Sequence, residues 1–212
     1  IMGKIVLYHF SPQGKLLKHR ILNAPSSAMV HDFAISQKHM IFLFSPINLN
    51  MDAVRSGKSM VDAMEWRANE SVKIMVVEKA DFSRFRILEI PALMVFHFGN
   101  AWEENNVIHV DFVKSDNLDN FHTWMPKIMR GEDVVSEPSS PAFLQIDLNK
   151  NRASLTARHE NLEFPRVDPR VVGQRNRYIY YPIAVENAMN NALNGVMRLD
   201  VESGKTDSFS FG

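Results

Sequence analysis

The feature that most constrains this chain is its punctuation. Short extended runs recur roughly every 8–15 residues, each bounded by Pro, Gly, Asn, Asp or Ser. They cover residues 4–10, 15–21, 28–36, 40–44, 72–77, 85–90 and 107–113, then 142–148, 153–158, 177–182, 195–201 and 206–211. Ser11-Pro-Gln-Gly14 is a turn sequence between the first two. Residues 147–151 and 200–205 join their flanking runs through Asx and Gly turn chemistry. No strand–helix–strand rhythm is present, so the pattern predicts an all-β architecture, a sandwich or a propeller.

Two stretches interrupt the strands. Residues 116–130 place Leu118, Phe121, Met125, Ile128 and Met129 on one helical face, with Asp116 positioned to cap and Gly131 to stop the helix. Residues 50–66 form a weaker helical or loop segment carrying Met51, Val54, Met60, Val61 and Met64. Such segments either pack on the core or form a lid over an apolar ligand. Pro138 and the Ser-Ser-Pro that follows it mark a loop within one domain.

Composition removes several function classes. Twenty-four Lys+Arg balance 24 Asp+Glu, so the basic excess of a nucleic-acid binder is missing. No Cys is present, which excludes a disulfide framework and thiolate metal sites. Apolar runs such as residues 40–44 fall far short of the roughly 18 residues of a membrane span. No charged-then-apolar leader pattern is seen. The expected location is cytoplasmic, with an exposed apolar patch as the route to peripheral membrane contact. Gly-Lys-Ser at 57–59 and Gly-Lys-Thr at 204–206 lack the upstream glycine of a phosphate loop, since Asp52 and Leu199 stand there. His109-Val-Asp111 has the His-x-Asp spacing of facial-triad Fe(II) sites, for which His159 is the candidate third ligand. Ile108, Val110 and Phe112 form the apolar alternate face, which turns His109 and Asp111 toward solvent or a half-polar side.

Three segments set unusual residues in apolar strand contexts. His31 and Asp32 interrupt residues 27–36, so one of them points into a buried or axial space; a hydrogen-bonded core histidine is the plainer reading. His97 sits between Phe96 and Phe98, and Gly99-Asn100 behind it allows a bulge or tight turn. Glu163 lies between Leu162 and Phe164, where burial demands a partner such as the second N–H of a metal-bound histidine. An exposed turn closed by Pro165 and Pro169 is the alternative for this third segment.

Met29-Val-His-Asp-Phe-Ala-Ile35, Phe96-His-Phe-Gly-Asn-Ala-Trp-Glu-Glu104 and Glu163-Phe-Pro-Arg-Val-Asp168 together resemble the carotenoid cleavage oxygenases. That family includes the retinal-pigment-epithelium isomerase and the lignostilbene dioxygenases. Arg177-Tyr-Ile-Tyr-Tyr181 and Met197-Arg-Leu-Asp200 continue the likeness over essentially the whole chain. The resemblance implies a seven-bladed β-propeller with Fe(II) on its axis, held by four histidines from different blades and oriented by glutamates. It implies O2-dependent scission of a conjugated C=C bond to two carbonyl products, on an apolar small molecule: a carotenoid, apocarotenoid or stilbenoid. By motif, His31 and His97 match two metal ligands and Glu163 the carboxylate behind His97. Asn100 and Glu103 match supporting structural positions near that ligand. Imidazole also suits Cu, Zn and Ni, so ligand type alone does not choose iron.

The family's first and fourth ligands have no match here, and His9, His19, His39, His109, His122 and His159 lack the motif contexts and read as surface residues. At roughly 40–50 residues per blade, 212 residues supply about four or five blades. Ile1 and Gly212 therefore read as truncation points of an incomplete domain over residues 1–212, an open arc with unpaired edges and no turnover of its own. Two other functions stay open: a non-catalytic propeller piece binding apolar ligands or partners, and the facial-triad oxygenase built on His109 and Asp111.

Overall fold

A computed structural model describes residues 3–26, 29–132, 139–185 and 193–211. Ile1, Ala28, Pro138 and Gly212, on which some of the expectations above fall, lie outside them. Strands β1 (Lys4–Phe10) and β2 (Leu16–Asn23) form a hairpin. The next sheet is four-stranded in the order β3 (Ala34–Ile35), β4 (His39–Phe44), β7 (Val72–Glu78), β8 (Phe85–Ile90). Between β4 and β7 lie β5 (Ile47–Leu49), a one-turn helix α1 (Met51–Arg55) and β6 (Met64–Trp66), with β5 and β6 paired. A second four-stranded meander follows: β9 (Met94–Glu104), β10 (Val107–Ser115), β11 (Ser140–Asp147) and β12 (Arg152–Ala157). Strands β13 (Tyr178–Ile183), β14 (Gly195–Asp200) and β15 (Thr206–Ser210) form the last sheet. A bridge between Arg166 and Tyr180 adds an inner partner to that sheet.

The sheets stack in chain order, because the central strands are apolar on both faces. Ile41, Leu43, Ile74 and Val76 pack against Ile108, Val110, Leu144 and Ile146 of the next sheet, forming the largest core. The alternate residues Phe42, Phe44, Met75 and Val77 pack the other way, on Leu7 and Leu22 of the first hairpin. On the far side Val113 meets Ile179, Tyr181, Met197 and Leu199. A period of two thus gives each interior strand a face for each neighbour, the requirement of stacked propeller blades. The all-β fold with short helical insertions follows the pattern of the sequence.

Two elements differ from the expectations. Among the described residues of the run at 28–36, only Ala34–Ile35 are laddered; residues 29–33 approach the sheet without strand pairing. The helix expected over 116–130 is instead a π-helical turn (Asn120–Trp124) followed by a one-turn helix α2 (Met125–Met129). Pro126 lacks the N–H that a continuous helix needs there. The expected face is split accordingly: Leu118 and Phe121 are buried, whereas Met125, Ile128 and Met129 are exposed. Asp116 does not cap but pairs with Lys114, while Gly131, at φ +73°, does stop the helix. Strand β9 continues through Gly99-Asn100 with a bulge, one of the two readings that pair left open.

Glu103 joins two sheets. Its Oε1 accepts from Ser36 Oγ (2.8 Å) and Lys38 N (2.6 Å), and its Oε2 stands 3.0 Å from His39 Nδ1. The two side chains are 8% and 12% exposed, so His39 is a half-buried partner and not the surface residue expected. Removing the carboxylate takes the shared acceptor from three donors at a sheet–sheet contact and leaves the half-buried His39 ring without its partner. Glu103→Ala should therefore lower unfolding stability by on the order of 3 kcal/mol, with Glu103→Gln intermediate, as read from urea midpoints.

Candidate metal centre

Three successive inner segments carry the candidate site. His31 lies on the unladdered approach to β3, His97 on β9, and Glu163 on the segment that leads to the Arg166–Tyr180 bridge. The His31 and His97 ring centroids are 5.4 Å apart with planes at 84°, close enough for one ion to touch both. His31 is exposed and lies flat on Phe96 (3.8 Å, 12°), so it is not the enclosed core histidine that was one reading of its segment. Phe96 in turn meets the edges of His97 and Phe121.

Glu163 Oε2 is 2.8 Å from His97 Nδ1 and also accepts from the Phe164 amide at 2.8 Å. A carboxylate only accepts, so in the neutral ring Nδ1 carries the proton and Nε2 keeps its lone pair. The imidazole is thereby set in the tautomer a metal ligand needs. Phe164 has φ +54°, a left-handed backbone that a bulky residue adopts at a cost of roughly 1–3 kcal/mol. That turn brings the Phe164 ring to 4.7 Å from His97 while its amide grips the Glu163 carboxylate.

A bulge supports His97. Asp111 pairs with Asn100 and Phe112 with Phe98, which leaves Gly99 without a partner. A Cβ on Gly99 would stand 1.9 Å from Asp111 Oδ1 and 3.3 Å from Pro165 Cβ, so only glycine fits. Asp111 is buried, contrary to its expected exposure, and its Oδ1 accepts from the Asn100 amide at 3.1 Å. Burial drives its pKa up to about 7. Asn100 is buried as well and fastens the following loop: its Nδ2 donates to Gln174 O and Asn176 Oδ1 (both 2.8 Å), and its Oδ1 accepts from Gly173 N at 2.9 Å.

The remaining histidines stand apart from this pair. His9, His19, His122 and His159 are exposed, and His122 Nε2 is 3.0 Å from Val61 O. His109 is half-buried and stacks on Trp102 at 4.0 Å; burial, the largest influence, pulls its pKa down. Among the described residues no three His, Asp, Glu or Cys side chains converge, so His109 and Asp111 have no third ligand in His159. Asp32 was singled out only as a neighbour of His31, yet its Oδ2 accepts from Phe98 N at 3.0 Å. Asp111 likewise gave no sign in the sequence of being buried beneath the bulge.

Residues 2–212 match the family described as retinal pigment epithelial membrane protein. The chain belongs to that family. It is 28% identical to apocarotenoid-15,15'-oxygenase of Synechocystis, over all of this chain and 43% of that protein. It is 28% identical to the probable carotenoid cleavage dioxygenase 4 of Arabidopsis thaliana, over 96% of this chain and 33% of that one. With isoeugenol monooxygenase of Pseudomonas putida it shares 29% identity, over 79% and 35%. The structure of cobalt-substituted Synechocystis apocarotenoid oxygenase superimposes with a TM-score of 0.82 at 27% identity, covering 98% of this chain and 43% of that one. The chain thus spans less than half the length of these family members, and its sheets form part of their β-propeller.

Two outcomes follow from the bulge. Gly99→Ala should destabilise the chain by at least about 2 kcal/mol in urea unfolding, since backbone and a buried carboxylate must both move. Asp111 ionises near pH 3.8 when unfolded but near 7 when folded, so over that interval only the unfolded state loses its proton. Its contribution to stability is fully present below about pH 4 and is lost as pH rises through about 7. Urea midpoints at pH 5 and pH 8 should differ less in Asp111→Asn than in the parent.

Proposed function

We propose that these residues belong to a non-heme Fe(II)-dependent dioxygenase that cleaves a conjugated C=C bond of a carotenoid, apocarotenoid or stilbenoid with O2, giving two carbonyl products. The observation that carries the reading is the convergence of the His31 and His97 rings at 5.4 Å with Glu163 on the outer nitrogen of His97. The donor set fits a borderline divalent ion: two neutral imidazoles and, behind one of them, an acceptor that offsets charge and fixes orientation. The chemistry bound Fe(II) supplies is one-electron reaction with O2. His31 and His97 would hold the ion, Glu163 would keep the His97 proton on Nδ1, and Phe96 would hold His31 flat against it. The described residues offer two such imidazoles, so turnover is assigned to a protein in which the ligand set is completed.

An apolar substrate is supported by what lies beside the imidazoles. Residues 50–66 and 116–130 meet there, with Val61 and Met64 packing against Leu118 and Phe121 in a cluster that includes Phe96. That cluster places an apolar wall next to His31. The names of the relatives point the same way: apocarotenoid, carotenoid and isoeugenol all carry a conjugated alkene. A cytoplasmic location with peripheral membrane contact belongs to the same reading, supported by the exposed Met125, Ile128 and Met129. Among the described residues no helix is long and apolar enough to cross a membrane.

The deciding measurement is Fe(II) titration of the whole protein, followed by incubation with a carotenoid and with a stilbenoid under O2 and analysis of the aldehydes. His97→Ala should abolish tight Fe(II) uptake, and Glu163→Gln should weaken it about 10–100-fold. His109→Ala should change nothing. No Fe(II) affinity in the parent protein would leave the non-catalytic binding role in its place.

A further inference from the structure

We infer that Asp32 is a positioning residue that sets the separation of His31 and His97. The inference rests on the reading of those two imidazoles as partners on one metal ion. His97 is on β9 and His31 on the approach to β3, in a different sheet, and no strand ladder joins β3 to β9. Backbone pairing therefore does not fix the distance between the two rings. The Asp32 carboxylate does: Oδ1 accepts from its own neighbour, Phe33 N, at 2.8 Å, and Oδ2 accepts from Phe98 N at 3.0 Å. Each end of this tether lies one residue from an imidazole, since Asp32 follows His31 and Phe98 follows His97.

The tether also answers a backbone requirement. β9 is the edge strand of its sheet, and the Gly99 bulge interrupts its register beside Phe98. The Phe98 N–H is satisfied by Asp32, from the adjacent sheet, and the Asn100 N–H by Asp111, from its own. Two carboxylates thus hold the amides on either side of the bulge, and the one from outside the sheet is joined directly to His31. Without it, the approach to β3 is unladdered from Met29 until Ala34, and among the described residues the His31 ring is left with its contacts to Phe96 and to His97 itself. An aspartate is the residue for this task, because two carboxylate oxygens serve two N–H groups at once, whereas an asparagine offers a single oxygen.

The test is Co(II) titration of the whole protein without O2, followed by visible ligand-field absorption, for the parent, Asp32→Ala, Asp32→Asn and His97→Ala. Urea unfolding of the metal-free forms runs alongside. The expected result is at least a tenfold loss of Co(II) affinity in Asp32→Ala with an altered ligand-field spectrum, and an intermediate loss in Asp32→Asn. A role in stability alone would lower the urea midpoint and leave the spectrum of the bound ion unchanged. Parent-like affinity and spectrum in Asp32→Ala overturn the inference while the metal reading stands; if Asp32→Ala does not fold, the same outcome in Asp32→Asn overturns it. No specific Co(II) uptake by the parent, or equal uptake by His97→Ala, overturns the metal reading and the inference with it.

Discussion

Stacked sheets that converge at their inner edges create one recurring problem: the innermost strand of each has backbone donors with no strand beyond them. In β9 the answer is twice a carboxylate, and a third carboxylate does the same for the turn between β3 and β4. Asp32 takes the Phe98 amide, Asp111 takes the Asn100 amide, and Glu103 takes the Lys38 amide together with two side chains. Each of these bonds joins segments far apart in sequence or holds a bulge in the edge strand. The site is built from the same material, because His31 and His97 ride on the segments that these carboxylates fasten. The interval of 66 residues between His97 and Glu163, repeated between Asp32 and Phe98, shows the period at which one inner segment succeeds another.

Period and punctuation made most of the fold legible. Residues 85–90 and 107–113 alternate cleanly or run apolar between turn residues, and they are strands. The failures have particular causes. Counting apolar positions over 116–130 ignores what Pro126 does to a helix, and the chain there breaks into two short turns. Gly99-Asn100 is no such failure: of the bulge and the tight turn it left open, the ladder takes the bulge, with a carboxylate underneath. The 28–36 run is apolar enough for a strand, yet its inner half has no partner strand to pair with.

The site was legible in a different way. No periodicity singles out His31, His97 or Glu163; the flanking residues of three motifs do, and the fold then brings those motifs together across intervals of 66 residues. Asp32 and Asp111 were hidden for the same reason in reverse. A carboxylate beside a histidine, or two residues along a strand from one, is ordinary in a sequence. Its meaning depends on which amide it meets in another sheet or beneath a bulge, and local spacing carries no record of that.

The two histidine–glutamate pairs show how the same contact acquires two roles. Glu103 receives Ser36 Oγ, the Lys38 amide and His39 Nδ1, so both its oxygens are committed and His39 is one donor among three. Lys79 Nζ adds a bond to Ser36 O in the same turn. That arrangement is a clasp, and its value lies in the number of groups it satisfies. Among the described residues Glu163 receives only His97 and the amide of its own successor, and both bonds fall on a single oxygen. The His97 and His31 rings stand 5.4 Å apart with planes at 84°, and the Asp32 bond to the Phe98 amide, which joins their segments, touches neither ring. A carboxylate that closes a contact uses every donor within reach. One that orients a ligand takes a single ring proton and leaves the opposite nitrogen open, as Glu163 does, and this asymmetry separates the two pairs where their lengths, 3.0 and 2.8 Å, do not.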